Sequence, residues 1–481
     1  MVPMNICMQN KNVWCIDKMT HLGFLLDADK YYSAFFEVAP QAQKNIFITA
    51  WEMESRLNLS KVSSHFPTDL RRYFSFLVDQ NQNLKIKILC WKPGLYLKFS
   101  RERMTEWKWK QLGHPRVHFK NDRSPYAFGS FHEKLVLIDN SCGFLGGMDI
   151  SVNRWDTPDH ELNSKLRERE DISYLPIHDA QFIFKGPLLE KVRIMMQARL
   201  NPDIVHIDQY PENNVTLQTP YPSIEDTYGS LSRTDPALGA YEIESIYLDA
   251  IRSAKKYIYI ENQYFTCLSI AKALAAQLEK ADGPEVIIVL PRNYLGSFER
   301  AVYTHGRNVV KKILEKSNKY NRLGYFYPSI ANDSEDHFLK VHSKIMIVDG
   351  TFITLGSANL NYRSMRVDRE MNMNIEGSSE KNTEFIQQIF NSLICEHLGI
   401  TPERYDHQRT ALENINHFQR KYPRSLVNLE YGVLSLKERV MLLISSFVDM
   451  KIAVPKAIFW TMITLIMIFF IYSMKIAYET F

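Results

Sequence analysis

The sequence carries the same short pattern of chemically active residues twice. Each copy has a histidine, a lysine two positions later and an aspartate at the end of an apolar run. The first copy consists of His132, Lys134 and Asp139, and the second consists of His342, Lys344 and Asp349. One such pattern is weak evidence, but two copies that match position by position without a gap indicate an internal duplication.

The spacing of each pattern predicts a strand that presents its reactive groups together. Residues two apart on a strand share a face, so His132 and Lys134 point the same way, as do His342 and Lys344. The uncharged runs 135–138 and 345–348 that follow are typical of strands buried on both faces. Each copy therefore offers one imidazole and one ammonium group on a rigid support.

Two histidines and two lysines in one site suit attack on a phosphodiester. One histidine can act as the nucleophile, while the other protonates the leaving oxygen and later activates water. The lysines can neutralise the non-bridging phosphate oxygens, and Gly147, Ser357 and Asn359 can add hydrogen-bond donors. This chemistry needs no metal, and the sequence has no HExxH motif or carboxylate cluster that suggests one. We therefore expect no cofactor and no metal ligands.

The elements that must position these groups also occur twice. Helical spacing over 242–255 is followed by a strand at 257–260, and a helix over 28–44, shortened by Pro40, is followed by a strand at 46–49. Further strands at 85–90 and 285–290 take equivalent places in the two halves. The order helix, strand, helix, strand and motif strand predicts an α/β fold made of two duplicated halves.

Changes in composition predict the boundaries between segments. We expect the first lobe over 1–200, a connector over 201–240, the second lobe over 241–400, a helical extension over 401–454 and a membrane tail over 455–475. In the extension, an apolar helical stripe comprises Leu436, Val440, Leu443, Ile444 and Phe447. The stripe either docks on the body, which is the preferred interpretation, or lies on the membrane surface.

The C-terminal run 457–474 has no charged residue and is bounded by lysines. At about 1.5 Å per residue it spans roughly 27 Å, close to the thickness of a thin bilayer. A buried core helix is the alternative, but Trp460, Tyr472 and the flanking lysines favour a membrane anchor. We expect a tail-anchored protein whose catalytic body faces the cytosol, on an internal membrane such as the endoplasmic reticulum rather than the plasma membrane.

The overall composition excludes several classes of protein. The 481 residues are 45% hydrophobic and 23% charged, which is ordinary for a globular protein. The 58 basic and 54 acidic residues nearly balance, so charge gives no case for a dedicated nucleic-acid binder. The six cysteines form no CxxC pair, which indicates reduced thiols rather than a zinc site or a disulfide framework.

The duplicated HxKxxxxD motif resembles that of the phospholipase D superfamily. Four further segments are similar to motifs of its eukaryotic-type phosphatidylcholine-hydrolysing members: RWDTPDH at 154–160, IENQYF at 260–265, GSANLNYRS at 356–364 and EHLG at 396–399. The resemblance implies two pseudo-symmetric α-β-α-β-α lobes packed face to face, with the active site between them, and a covalent phosphohistidine mechanism.

The resemblance also implies a role for each site residue. His132 is the nucleophile, and His342 is the general acid and then the general base. The phosphate-binding groups are Lys134, Lys344 and Asn359. Glu370 and Asp179 each orient the histidine of the opposite half. Asp139 and Asp349, the last residues of the catalytic motifs, brace the structure rather than touch the substrate.

The expected activity is that of a phospholipase D, which cleaves phosphatidylcholine or a related phospholipid to phosphatidate and a free head group. An alcohol could replace water and give head-group exchange. The alternatives are a phosphodiesterase or nuclease of the same superfamily, a cardiolipin synthase-like transferase, and a lipid-binding scaffold with a decayed site. We expect phospholipid and membrane as partners and no nucleic acid, and the sequence carries no signal for an oligomeric state.

Overall fold

The structure is a computed structural model. It describes residues 5–55, 69–93, 104–112, 114–164, 167–169, 172–200, 215–330, 337–419 and 424–442, together with a few isolated positions.

The first half of the chain begins with alternating strands and helices and continues with a run of strands. The elements up to residue 200 are β1 (Cys15–Leu26), α1 (Asp27–Val38), β2 (Asn45–Ala50), α2 (Leu70–Gln80), β3 (Lys85–Trp91), α3 (Thr105–Leu112), β4 (Val117–Asp122), β5 (Leu135–Ile138), β6 (Cys142–Gly146), β7 (Glu168–Arg169), β8 (Ile172–Ser173), β9 (Ile177–His178), β10 (Ala180–Lys185) and α4 (Pro187–Leu200).

The elements after residue 200 repeat this order. They are β11 (Ser223–Asp235), β12 (Ala240–Tyr241), α5 (Glu242–Ser253), β13 (Tyr257–Asn262), α6 (Leu268–Leu278), β14 (Glu285–Val289), α7 (Ser297–Ser317), β15 (Leu323–Ser329), β16 (Lys340–Val341), β17 (Lys344–Val348), β18 (Phe352–Gly356), α8 (Tyr362–Arg366), β19 (Glu370–Glu376), α9 (Glu380–Leu398), α10 (Ala411–Phe418), β20 (Ser425–Asn428) and α11 (Leu436–Leu442).

Most of the described strands form one sheet whose order is symmetric about its centre. The order is β4-β3-β2-β5-β6-β10-β1-β11-β19-β18-β17-β13-β14-β15-β20. On each side of the β1–β11 pair, six strands follow in the equivalent sequence, with the same parallel and antiparallel pairings. The mixed α/β fold therefore consists of two halves with the same topology, as the duplicated motifs predict.

The two halves are joined at the edges of their sheets as well as across the site, where β6 and β10 of the first half lie close to β18 and β19 of the second. β1 and β11 pair with each other in antiparallel register, from Cys15 opposite Leu231 to Gly23 opposite Ser223. The sheets of the two halves are thus joined edge to edge through backbone hydrogen bonds. This join places the ends of the two motif strands on either side of one central region.

Two segments expected to lie outside the lobes contribute strands to this sheet. The segment 201–240, expected to be a connector, contains β11, whose Ser230 and Ser232 side chains are buried and receive hydrogen bonds from Asn374. Its polar composition is typical of a loop, but tertiary hydrogen bonds satisfy these hydroxyls. The extension after residue 400 is not wholly helical either, because β20 pairs with β15 and covers that edge of the sheet.

Apolar helices cover the sheet and form its core. α1 buries Tyr31, Phe35 and Phe36 on the first half, and α5 buries Ile246 and Ile251 on the second half. The predicted helix over 28–44 ends earlier, at Val38, because Pro40 lies in a 3₁₀ turn that follows it. The long helix α9 packs against β11, β15, β18, β19 and β20. The motif strands are therefore buried on both faces.

The membrane tail falls almost entirely outside the described residues. Among the residues that the structure describes, no helix is both long enough and apolar enough to cross a membrane. The predicted span 457–474 contributes only isolated positions to the description, so it stays a prediction.

The apolar stripe of α11 does not dock on the body where the structure describes it. Leu436 is 80% exposed and Val440 is 55% exposed, while Glu438 on the opposite face is buried. The preferred interpretation is therefore wrong for these two residues, because α11 turns its polar face to α7 through Arg300 and Glu438, 3.7 Å apart. Leu443, Ile444 and Phe447 lie outside the described residues.

Candidate active site

Each motif histidine is held in place by backbone pairing with the opposite half. The backbone N–H of His132 donates to the carbonyl oxygen of Arg369 over 2.8 Å, and that of His342 donates to the carbonyl oxygen of His178 over 2.8 Å. Strand β16, just before His342, pairs in parallel with β9. The two halves therefore exchange equivalent contacts, and these contacts bring the two motifs together.

The same exchange places one carboxylate on each histidine. His342 Nδ1 lies 2.5 Å from Asp179 Oδ2. His132 Nδ1 lies 3.0 Å from Glu370 Oε2 and 3.0 Å from the carbonyl oxygen of Ser357. With Nδ1 donating to these acceptors, the lone pair of each neutral imidazole is on Nε2, which is available to the chemistry. Asp179 and Glu370 occupy the places that the resemblance implied for the orienting acids.

The two lysines lie beside the histidines and are buried. Lys134 Nζ donates to the carbonyl oxygen of His132 over 2.8 Å and lies 3.6 Å from Asp149 Oδ2. Lys344 Nζ donates to the carbonyl oxygen of His342 and lies 3.4 Å from Gln263 Oε1. Two buried ammonium groups with few anionic partners form a site that favours an anion such as a phosphodiester.

Burial controls the protonation of this site. Burial, followed by the charges of Lys134 and Lys344, holds the pKa of His132 well below its usual value. Burial and the charge of Lys344 do the same to the pKa of His342. Burial also lowers the pKa of Lys344 to about 7. A bound phosphate anion would favour the protonated form of these groups, because its negative charge would offset the cost of burying a positive one.

The orienting acids have shifted pKa values for the same reason. Burial raises the pKa of Asp179 to about 7 and that of Glu370 to about 8. Glu370 also accepts hydrogen bonds from the hydroxyl groups of Ser357, over 2.5 Å, and Ser364, over 2.7 Å. These donors hold the carboxyl group in one orientation against His132.

Asp139 and Asp349 lie at the far ends of the motif strands and brace the backbone. Asp139 accepts hydrogen bonds from three consecutive backbone N–H groups at residues 43–45, over 2.6 to 2.9 Å. Asp349 accepts three from residues 255–257, over 2.7 to 2.9 Å. Both residues have positive φ, 51° and 55°, which aspartate tolerates in a turn. Their contacts place them in the structural role that the resemblance implied and not at the reacting atoms.

The three predicted donor residues differ in what they offer. The N–H of Gly147 donates to the carbonyl oxygen of Ala180, and an added Cβ would lie 2.1 Å from Asp179 Oδ1. Both the N–H and the hydroxyl of Ser357 are engaged, on Met371 and Glu370. These donors are therefore used within the protein, on two backbone carbonyls and on Glu370. Asn359 is buried, and its Oδ1 has no hydrogen-bond partner among the described residues, so it stays the candidate for phosphate binding.

The sequence predicted no role for two residues at the site, Trp51 and Gln263, although Gln263 belongs to the IENQYF segment. The ring of Trp51 contacts His132 edge-on, with centroids 6.0 Å apart, and stacks on Trp91 at 5.7 Å. Gln263 lies beside Lys344. Trp51 directly follows β2, and Gln263 directly follows β13, so they occupy equivalent positions in the two halves. The duplicated strand ends were the signal that could have identified them.

A second buried polar cluster connects the halves behind His342. His178 Nδ1 and His160 Nε2 lie 2.7 Å and 2.9 Å from Glu396 Oε1, and Asp27 lies within 3.6 Å of both rings. These residue types can hold a divalent cation. However, the 2.7 Å and 2.9 Å separations are hydrogen-bond lengths, shorter than the roughly 3.3 Å between ligands on a tetrahedral zinc ion. Hydrogen bonds between charged partners fit the cluster better than a metal.

The carboxylates of this cluster favour charged histidines. The pKa of His160 is raised to about 9 by Asp27, Asp156 and Glu396, against the opposing effect of burial. The pKa of His178 is raised well above its usual value by Glu261 and Glu396, also against burial. The cluster therefore differs from the motif histidines, which burial keeps neutral.

Comparisons with known proteins point to one family. A family model described as "Cardiolipin synthase, PLD-like domain" matches residues 247–394. Phospholipase D A of Dictyostelium discoideum is 26% identical over 79% of this chain and 35% of its own length. Phospholipase D alpha 4 of Arabidopsis thaliana is 25% identical over 59% of this chain and 50% of its own length.

The chain is therefore similar to only about a third to a half of the length of these curated relatives. Among solved structures, the crystal structure of a phosphatidylserine synthase from Haemophilus influenzae has a TM-score of 0.52 and 16% identity, and the match covers 77% of this chain and 85% of that chain. This likeness shows a shared fold. The curated relatives, the family model and the paired motifs together show that the chain belongs to the phospholipase D superfamily.

Proposed function

We propose that this protein is a phospholipase D that cleaves phosphatidylcholine or a related phospholipid to phosphatidate and a free head group. The observation that carries the proposal is the pair of motif histidines, each held at Nδ1 by a carboxylate from the opposite half and flanked by a buried lysine. The named phospholipase D relatives support the same class of substrate.

In the first step of the proposed reaction, His132 Nε2 attacks the phosphorus atom of the lipid. The bond from phosphorus to the head-group oxygen breaks, and the proton on His342 Nε2 moves to that oxygen. The products are a free head group and a phosphatidyl group bound to His132. Lys134, Lys344 and Asn359 stabilise the charge on the non-bridging oxygens.

In the second step, neutral His342 accepts a proton from water. The water oxygen attacks phosphorus, the bond to His132 breaks, and phosphatidate leaves. His342 is then protonated again, as the first step requires. Because burial lowers the pKa of His342, we expect the negative charge of the bound phosphate to help hold this proton.

Transfer to an alcohol is the second candidate function. An alcohol in place of water would accept the phosphatidyl group and give a new phospholipid. The description of the family model that matches residues 247–394 names a synthase, which favours transfer to an alcohol. The same residues would carry both reactions, and the acceptor alone would differ.

We also propose that the body works at a membrane surface, anchored on the cytosolic side by the C-terminal run 457–474. The outward face of α11 supports this placement, since its Leu436 and Val440 are exposed and Val433, just before the helix, is 87% exposed. Lys437 and Arg439, also exposed, flank this face and suit anionic head groups. Holding the enzyme at the surface would raise its effective substrate concentration.

One assay tests the proposed activity. Purified full-length protein is incubated with vesicles of phosphatidylcholine, vesicles of cardiolipin and single-stranded DNA, with and without an added primary alcohol. We expect phosphatidate from phosphatidylcholine, an alcohol ester when alcohol is present, and no cleavage by the His132→Ala variant. Cleavage of DNA without cleavage of either lipid would overturn the proposal.

A separate experiment tests the membrane placement. We expect the full-length protein to resist carbonate extraction from an internal membrane, and a chain that ends after Val454 to become extractable. The shortened chain should still cleave dispersed short-chain lipid. Extraction of the full-length protein by carbonate would contradict the anchor. The sequence contains the glycosylation sequons Asn58-Leu-Ser60 and Asn214-Val-Thr216, and glycosylation at either would contradict the orientation.

A further inference from the structure

We propose that Glu261 is a positioning residue, which holds the His342–Asp179 pair in register across the two halves. The inference rests on the proposed function, in which His342 is the general acid and base. It assigns a role to a carboxylate that contacts His178 of the buried polar cluster and has no described hydrogen bond to the ring of His342.

Glu261 is a fully buried carboxylate near the end of β13 that has four hydrogen-bond partners. Its Oε1 accepts from the hydroxyl of Tyr259 over 2.6 Å and lies 3.0 Å from His397 Nε2. Its Oε2 accepts from the hydroxyl of Ser343 over 2.6 Å and lies 2.8 Å from His178 Nε2. Each oxygen therefore has two donors, and the charge is satisfied without water.

Ser343 and His178, the two partners of Oε2, are next in sequence to His342 and Asp179, the pair that Glu261 is proposed to position. Ser343 follows His342 in one half, and His178 precedes Asp179 in the other half. The N–H of His342 also donates to the carbonyl oxygen of His178 over 2.8 Å. One carboxylate oxygen thus ties together the two backbone segments that present His342 and Asp179 to each other.

A second carboxylate fixes the other side of the His178 ring. His178 Nδ1 lies 2.7 Å from Glu396, which also contacts His160. The ring of His178 is therefore held at both nitrogens, by one residue from the IENQYF segment and one from the EHLG segment, while His160 belongs to RWDTPDH. Three segments singled out in the sequence meet behind His342, which explains their presence without requiring contact with lipid.

Loss of this arrangement should affect turnover more than binding. A shift of about 1 Å in a catalytic group can cost about 10²-fold in rate. The Glu261→Gln variant keeps the size of the side chain but replaces one acceptor oxygen with an NH₂ group, which would face donors. The lysines that bind phosphate have no hydrogen bond to Glu261 among those described, so we expect KM to change little.

The chain offers a matched control in Glu376. It is another buried carboxylate, located at the end of β19, and accepts hydrogen bonds from the backbone N–H groups of residues 5–7. The Glu376→Gln variant therefore removes a buried charge of the same type without touching the segments that carry His342 and Asp179.

The experiment measures kcat, KM and thermal unfolding of the full-length wild-type protein, Glu261→Gln and Glu376→Gln with short-chain phosphatidylcholine. We expect kcat to fall about 10²-fold in Glu261→Gln, with KM within about threefold of wild type. We expect Glu376→Gln to keep kcat within about twofold. A Glu261→Gln kcat within twofold of wild type, or equal losses in the two variants, would overturn the inference.

Two additions keep the test decisive. Ser343→Ala removes a single donor to Glu261, so it can be measured even where Glu261→Gln fails to fold. We expect its kcat to fall about tenfold, and an unchanged kcat would overturn the inference. The Nδ1 proton of His342, shared with Asp179 over 2.5 Å, should give a far-downfield proton NMR signal that Glu261→Gln shifts and Glu376→Gln leaves in place. If wild type cleaves no phospholipid, the proposed function fails, and an unmoved signal would separately refute the positioning role.

Discussion

The environments of His132 and His342 share one backbone arrangement but differ in their side chains. Behind His342, His178 lies between two glutamates, and Ser343 donates to one of them. Behind His132, the equivalent residues are Arg369 and Glu133. Arg369 lies 3.4 Å from Asp235 and 3.6 Å from Asp122, and its guanidinium group covers the ring of Phe131 at 3.6 Å.

The duplicated fold therefore fixes the positions of the two histidines, and a different ionic cluster stabilises the surroundings of each histidine. An arginine remains charged in any pH range where the protein folds, whereas the histidine cluster depends on its carboxylates for charge. The side chain of His132 is also more exposed, at 13%, than that of His342, at 7%. This agrees with His132 as the nucleophile, which must reach phosphorus.

Removing each histidine in turn tests this asymmetry with the largest expected effect. His132→Ala should lower kcat by about 10⁵-fold or more, because the nucleophile is lost. His342→Ala should lower it by about 10²–10⁴-fold on natural lipids. Assays with a phosphatidyl ester of p-nitrophenol separate loss of the nucleophile from loss of the general acid, because that leaving group needs no proton.

On this ester we expect His342→Ala to recover a burst of p-nitrophenol, and His132→Ala to show none. A burst from His132→Ala but not from His342→Ala would reverse the two roles.

The lysines should come next in size of effect. Lys344→Met is expected to cost about 3 kcal/mol of transition-state stabilisation, or roughly 10²-fold in kcat/KM, because the side chain that neutralises the phosphate is gone. Lys134→Met should behave similarly. Circular dichroism and thermal unfolding check that both variants fold, and a loss below threefold in either variant would remove that lysine from the phosphate site.

The pH dependence should show the lowered pKa of Lys344. This lysine is faced by Lys134, Lys340, Asp179 and Glu370. With a pKa of about 7 in the free enzyme, Lys344 loses its proton as the pH rises through that value. The fall in kcat/KM should therefore become about tenfold per pH unit steeper there, in addition to the fall that the need for protonated His342 causes. The limb for kcat should lie at higher pH, since bound phosphate favours the protonated lysine.

The same pH profile, measured toward acid, tests the protonation state of His132. Because the pKa of His132 is held well below its usual value of about 6.5, the nucleophile should remain neutral as the pH falls to that value. A loss of kcat/KM that sets in as the pH falls and is centred on pH 6.5 would contradict the proposed protonation state of His132.

The bracing aspartates should affect stability and leave chemistry intact. Asp139→Asn and Asp349→Asn each weaken three hydrogen bonds from backbone N–H groups to a carboxylate, so each should lower the free energy of unfolding by about 2 kcal/mol in urea. The activity of the folded fraction should stay within about twofold of wild type. Loss of activity without loss of stability would place either aspartate in the chemistry instead.

Metal removal should have the smallest effect. The proposed mechanism draws its positive charge from Lys134 and Lys344, so exhaustive chelation should leave kcat unchanged. Activity that chelation abolishes and calcium alone restores would contradict this part of the mechanism.

The sequence predicted the elements that carry strong local signals. The strand after the first helix of each half, the next parallel strand beside it and the two motif strands follow from apolar runs and alternation. The central strand β11 was missed because its buried serines and threonines are polar. Its backbone pairs with β1 and β19, and Asn374 of β19 donates hydrogen bonds to the hydroxyls of Ser230 and Ser232. The exposed stripe of α11 was misassigned because an amphipathic pattern does not say which face meets the protein.

The candidate site divides in the same way. His132, Lys134, His342 and Lys344 follow from spacing alone, although the strands begin later than the spacing predicts. His132 and Lys134 lie just before β5, and His342 lies just before β17, which begins at Lys344. Glu370 and Asp179 were reached only through the resemblance, because each acts across the interface between halves. The roles of Gly147 and Ser357 depended on tertiary packing against these acids, which no local pattern encodes.

The most direct test of the central claim is to trap the covalent intermediate and locate it. Wild type, His132→Ala and His342→Ala are mixed with short-chain phosphatidylcholine, quenched within milliseconds at alkaline pH and digested for mass spectrometry. We predict a phosphatidyl group on His132, transient in wild type, longer-lived in His342→Ala and missing in His132→Ala. An adduct on His342 in the His132→Ala protein, or no adduct in wild type at any time during turnover, would contradict the account.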